Sequence, residues 1–215
     1  MIPTRFIDLT MPLHKGMPGV DYEPAKTYAE DGWNARLLHI YSHSGTHMDA
    51  QVHFEAGSET IDTLPLERCM GPAWVVRLPD TQPGELLGVA HLGNLIGKFV
   101  TGDSLIFHTG WSRHVGDASI YRDGLHRISD ELADWCVDSG VRILGVEPPS
   151  IADVNNLEEV TRIHKILLGG KVTIVEGLCN LETLPDSRFT FIALPLKIQD
   201  GDGCPCRAIA YPECL

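Results

Sequence analysis

The chain lacks any long apolar run. No stretch approaches the roughly 20 consecutive apolar residues that a membrane-spanning helix needs, so no membrane span is expected. Cationic excess is missing too: 17 Lys and Arg stand against 29 Asp and Glu, a formal net charge of -12. Such a polyanion gains nothing by displacing counterions from phosphates, which argues against nucleic acid as a partner and against anionic membrane surfaces. Aromatics are sparse at 7%. The six cysteines (Cys69, Cys136, Cys179, Cys204, Cys206, Cys214) are too scattered for a disulfide framework at this length. The first sixteen residues carry an Asp and two prolines where a secretory signal would be continuously apolar. A reduced, cytoplasmic protein is expected. Repeats and low-complexity linkers are also lacking.

The 215 residues, 43% hydrophobic and 21% charged, suffice for one domain, 1–215, with an ordinary core. Short runs rich in β-branched residues read as strands at Arg36–Tyr41, Ala73–Leu78, Ser104–Phe107, Arg142–Val146, Val172–Val175, Phe189–Leu194 and Arg207–Ala210. Ser129 reads as the N-cap of a helix that Gly140 ends. A second helix is expected from Asn156 to Leu168, with Glu158 paired to Arg162 and an apolar face of Val160, Ile163 and Leu167. A third is expected over Val89–Ile96. Strands outnumber helices, so the class is mixed α/β.

Residues 43–53 read His-Ser-Gly-Thr-His-Met-Asp-Ala-Gln-Val-His. Three of the ten histidines fall in these eleven residues, where even scatter predicts about half of one. Imidazole and carboxylate are the ligands that zinc and similar divalent ions take. His43, His47, Asp49 and His53 would share one face of an extended chain. Fully extended, however, they would span roughly 33 Å, too far for one site. A bend is required, and Gly45 permits it. No Glu follows His43, so the helical HExxH zinc motif is absent. His164 lies on the apolar face of its helix, and Glu176 ends an apolar strand, where a buried carboxylate demands a partner. Helix, Gly169-Gly170 turn and strand would bring these two residues together. Ser44 and Thr46 are near enough in sequence to orient ligands or to brace their own turn.

The run from His43 to Phe54 resembles the HxGTHxDAPxHF signature of the cyclase family, which includes bacterial kynurenine formamidases and isatin hydrolases. The segment HKILLGGKVTIVEGLCNLETL is similar to that family's second motif, with His164 and Glu176 twelve residues apart. Gly145–Ser150 and Asp202–Ala208 resemble two further family segments, usually read GxDTPS and DGSPVRA. The resemblance covers almost the whole chain in order. It implies a swivelling β/β/α domain, a homodimer or larger homo-oligomer, and a small-molecule substrate. It implies one or two divalent metals per subunit, zinc first and manganese as the alternative. His43, His47 and Asp49 would hold the first metal, and Asp49, His164 and Glu176 the second. His53 would be the catalytic acid/base. The implied reaction is hydrolysis of an amide or lactam C–N bond in a small aromatic or cyclic substrate, with water activated by the metal. Another carbonyl substrate, such as a lactone or cyclic imide, is the alternative, and a non-catalytic metal-binding homologue the third reading. The absence of a G-x-S-x-G elbow argues against serine hydrolysis.

The chain departs from the family pattern at positions that bear on the site. Gln51 replaces the usual Pro, Met17 stands where kynurenine formamidases place a Trp, and Cys204 and Cys206 replace Ser and Val as two expected buried thiols. Met17, Gln51 and Phe54 are the candidate substrate contacts. Trp33, Tyr22, Phe107 and Trp111 are further aromatics available to a pocket.

Overall fold

The computed structural model of the chain describes residues 6–212; Cys214 lies outside them. Among the described residues twelve strands run in chain order: β1 (Ile7–Asp8), β2 (Val20–Lys26), β3 (Ala35–Ile40), β4 (His47–Asp49), β5 (Met70–Arg77), β6 (Leu86–Leu87), β7 (Ser104–His108), β8 (Arg127–Ile128), β9 (Ile143–Val146), β10 (Thr173–Glu176), β11 (Phe189–Pro195) and β12 (Gly203–Pro212). The α-helices are α1 (Tyr28–Asp31), α2 (Ala118–Asp123), α3 (Asp130–Ser139) and α4 (Leu157–Gly169).

The main sheet runs β1-β12-β11-β5-β7-β9-β10-β4, and β4 pairs again with β12. That last pairing closes seven strands into a barrel-like ring. The neighbours β5, β7, β9 and β10 are parallel. Parallel neighbours need long crossovers, and α3 and α4 supply two of them. The remaining pairs are antiparallel. Alternation along the strands divides the core in two. Met48, Val75, Ile106, Val175, Phe191 and Cys204 form one cluster. Leu105, Phe107, Leu144 and Ile174 face the other way and pack with Leu132, Ile163 and Leu167 of the two long helices. Cys204 and Cys206 are both buried.

Helix ends follow local chemistry. Ser129 Oγ accepts from Leu132 N at 3.1 Å, and Gly140 closes α3 at φ +73°. Asn156 caps α4 through Glu159 N at 3.1 Å. Arg162 reaches Asp130 of α3 at 2.9 Å and lies 3.9 Å from Glu158. The helix expected over Val89–Ile96 is instead a 3₁₀ segment, Val89–Leu95, broken at Gly93 with φ +50° and ψ -128°. The Arg36–Tyr41 run forms β3, but outside the barrel: it pairs only with β2, in a separate two-stranded sheet. Strands of two or three residues, β1, β4, β6 and β8, are too short to show a period in sequence.

Candidate metal centre

The His-rich run bends where Gly45 takes φ +63°. β3 ends at Ile40, a turn carries His43, and the chain then enters β4, inserted between β10 and β12. In that register His47 stands opposite Glu176, and Asp49 follows two residues on, on the same face. Met48 points the other way, fully buried. Thr46 Oγ1 donates to Gly177 O at 2.5 Å and accepts from Met11 N at 2.9 Å. Ser44 Oγ donates to Pro18 O at 3.1 Å. Both hydroxyls therefore brace the turn rather than orient the cluster's donors. The 3₁₀ helix Gln51–Phe54 returns His53 over His43, with ring centroids 3.8 Å apart and nearly parallel. α4 delivers His164 from its buried face.

Five side chains thus converge. His47 Nε2 lies 3.2 Å from Glu176 Oε2 and 3.7 Å from Asp49 Oδ1. His164 Nε2 lies 3.5 Å from Glu176 Oε1 and 3.7 Å from Asp49 Oδ2. His43 Nδ1 sits 2.8 Å from Asp49 Oδ1. Glu176 Oε1 also accepts from Ile151 N at 2.8 Å.

The tautomers follow from the partners. His47 Nδ1 faces Gly45 O at 3.0 Å, and His164 Nδ1 faces Val160 O at 2.6 Å. A carbonyl only accepts, so each Nδ1 carries a proton. In a neutral imidazole Nε2 is then a bare lone pair, and both Nε2 atoms point at carboxylate oxygens. Lone pairs aimed at anions in a buried site repel unless a cation lies between them. Asp49 Oδ2 is buried with no hydrogen-bond donor, which is costly for a carboxylate oxygen. The donor set therefore fits a divalent ion. Without one, the histidines must carry the charge. Burial disfavours the charged form of His47 and His164, yet their bonds to Glu176 and the charge of Asp49 raise both pKa values. For His43 the Asp49 and Asp202 carboxylates outweigh burial and push the value up to about 9. Burial, with the nearby His43 and His164, lowers that of His53. Burial would raise Asp49, but His43 and the other imidazoles hold it below the usual carboxylate range.

The ligand atoms fall into two sets sharing Asp49: His43, Asp49 and His53; and His47, Asp49 and Glu176. His164 adjoins the second set through the distances above. His47 Nε2 also lies 3.7 Å from the Asp49 oxygen that faces His43, with the two rings 5.2 Å apart, so the same atoms offer the grouping that the resemblance implies as well. His47 groups with Glu176 because the two are cross-strand neighbours, and His53 groups with His43 because their rings stack.

A cavity of about 280 Å³ opens beside His43, walled by Met11, Met17, Pro18, Val115, Tyr121 and Pro149 among others. Met17 is thus at the cavity. Gln51 is not: its Nε2 donates to Leu168 O at 2.9 Å and its Oε1 accepts from Glu59 N at 3.3 Å. It ties the helix bearing His53 to the end of the helix bearing His164. Phe54 stacks on the His164 ring at 4.2 Å instead of lining the cavity. Phe107 and Trp111 are core residues, Trp33 is 55% exposed, and Tyr22 lies under Arg36. Asp202, inside a segment legible as a motif but not singled out for the site, has Oδ2 3.0 Å from His43 Nε2.

A buried centre of imidazoles and carboxylates at the rim of a mixed α/β barrel, open to a small cavity, defines the class: a metal-dependent hydrolase. A family model described as "Putative cyclase" matches residues 7–153, and the chain belongs to this cyclase family. A kynurenine formamidase of Salinibacter ruber is 32% identical over 180 residues, covering 84% of this chain and 81% of that protein. One from Bacillus cereus is 30% identical over 219 residues, covering 99% and 100%. Isatin hydrolase A from Ralstonia solanacearum superposes with a TM-score of 0.87 at 25% identity, over 97% of this chain and 92% of that one. No helix among the described residues is long and apolar enough to cross a membrane.

Proposed function

We propose that the protein hydrolyses the C–N bond of a small aromatic or cyclic amide at this centre, with zinc, or alternatively manganese, held by His43, His47, Asp49, His164 and Glu176. One observation carries the reading: the Nε2 lone pairs of His47 and His164 converge on Asp49 and Glu176, beside an undonated Asp49 oxygen. A divalent ion bound there supplies Lewis acidity, lowering the pKa of water and stabilising the developing oxyanion. The chain does the rest. The Gly45 and Val160 carbonyls hold the proton on Nδ1 of His47 and His164, keeping both Nε2 atoms available. His53 is 23% exposed at its side chain, the least buried imidazole of the cluster. It is placed to carry a proton to the leaving nitrogen, which departs poorly as an anion. The relatives' names supply the substrate class. The Met17 and Pro18 wall accepts an apolar ring.

The test is elemental analysis of protein purified without added metal or chelator, beside His47→Ala, followed by assays on N-formylkynurenine, isatin, a lactone and a cyclic imide. Zinc or manganese at one or two equivalents, lost in the variant, with turnover of an amide, is the expected result. His53→Ala is expected to lose at least about 100-fold in kcat. Protein that neither contains nor takes up metal would sink the reading, and turnover of the lactone alone would replace the C–N assignment.

A further inference from the structure

His43 differs from the other two inward-facing histidines. His47 and His164 each have one nitrogen on a carbonyl, which settles their tautomers. Both nitrogens of His43 face carboxylates: Nδ1 faces Asp49 Oδ1 at 2.8 Å, and Nε2 faces Asp202 Oδ2 at 3.0 Å. An imidazolium donates to both, but an imidazole that offers one nitrogen to a metal keeps a single N–H, and the two carboxylates then compete for it. Asp49 is buried and shared by both ligand sets, whereas the Asp202 side chain is 49% exposed.

The placement of Asp202 is over-determined. Its carbonyl accepts Ala50 N at 2.9 Å, and its carboxylate accepts Ser42 Oγ at 3.3 Å. The next residue, Gly203, pairs with Asp49 in the sheet. A Cβ on Gly203 would lie 2.4 Å from His43 Cε1. The backbone at 202–203 therefore forms a slot for the imidazole, and only glycine leaves room for it. His53 Nδ1 lies 3.8 Å from the same Asp202 oxygen.

We propose that Asp202 is a positioning residue that draws the His43 proton to Nε2, turns the Nδ1 lone pair toward Asp49, and so sets the affinity for the metal that His43 and Asp49 hold. The inference rests on the proposed metal centre and adds a division of labour to it. His47 and His164 are oriented by carbonyls and do not depend on Asp202. Partners of this kind change metal affinity by about 10- to 100-fold when removed.

The experiment is cobalt(II) titration of the metal-free protein, followed by visible absorption and calorimetry, for wild type, Asp202→Ala and Asp202→Asn. Two equivalents are expected in wild type. Asp202→Ala should weaken one of them by about 10- to 100-fold and leave the other unchanged. Asp202→Asn keeps an acceptor for Nε2–H without the charge and should restore most of the loss. Equal titrations for wild type and Asp202→Ala overturn the proposal while leaving the metal centre intact. Equal losses in the Ala and Asn variants overturn it too, since charge rather than positioning would then be responsible. Wild type that binds no cobalt overturns both readings. Imidazole ¹⁵N spectra of the zinc-loaded wild type give a readout independent of variant folding. Protonated Nε2 on His43 supports the proposal, and protonated Nδ1 refutes it.

Discussion

At the scale of single residues, the site depends on positions where no side chain fits. Gly177 follows Glu176 at φ +67°, and a Cβ there would meet Gly45 O at 2.2 Å. Two glycines on different strand ends thus let the backbones touch, and Thr46 stitches the contact. Gly177→Ala is expected to lower unfolding stability by more than about 2 kcal/mol, because a backbone clash adds to the 1–2 kcal/mol of left-handed strain. Gly32→Ala, with φ +78° and nothing within 4 Å of its Cβ, isolates the strain term and should cost only about 1 kcal/mol. Urea unfolding of both variants measures the difference; equal losses would mean that the close approach is not limiting. Gln51 teaches a related lesson. From sequence it is a polar group available to a pocket, but its amide is occupied by a helix-end carbonyl and a loop N–H.

At the scale of elements, one buried carboxylate joins two strand ends. Glu147 follows β9 and is fully buried. It accepts Thr109 N at 2.7 Å, Trp111 N at 3.1 Å, Ser112 Oγ at 2.7 Å and Thr109 Oγ1 at 3.2 Å. The turn after β7 is therefore folded around it, and its carbonyl accepts the Tyr121 hydroxyl at 2.6 Å, fixing one wall of the cavity. Glu147→Ala would strand several buried donors and is expected to cost about 3 kcal/mol or more. The check is the urea midpoint at unchanged slope. A loss under about 1 kcal/mol would show that water replaces the carboxylate. Elements also mark the limit of sequence reading. α3 and α4 were legible because caps, stops and a 3.6-residue period agree over ten or more residues. β4 was not, since three residues carry no period and the strand exists only because β10 and β12 flank it.

At the scale of the whole molecule, the β2–β3 hairpin stands apart from the barrel. Leu37, Leu38 and Tyr41 are 50%, 58% and 59% exposed, and every residue of β3 except Ala35 is exposed. An isolated two-stranded sheet is marginal in water unless something covers it. Leu38 and Ile40 also border a largely apolar groove with Leu196 and Ile198. We propose that a second copy of the chain covers this surface, in the homodimer that the family resemblance implies. Light scattering after size exclusion should return twice the 23.7 kDa chain mass. Leu38→Glu should shift it toward one chain mass. A monomeric wild type would rule the dimer out.

The sequence by itself determined the chemistry. His43, His47, Asp49 and His53 are close along the chain, so their ligand character and the need for a bend at Gly45 could be read locally, as could the two long helices. It also bore a family pattern strong enough to bring His164 and Glu176 into the same site. Only the tertiary structure decided how those residues face one another. Which imidazole faces which carboxylate depends on sheet register, on ring stacking and on the carbonyl behind each Nδ1. Asp202 lies 159 residues from His43 along the chain and 3.0 Å from it in space. Contacts of that kind follow from closing the ring of strands, a property of the whole chain that no local period encodes.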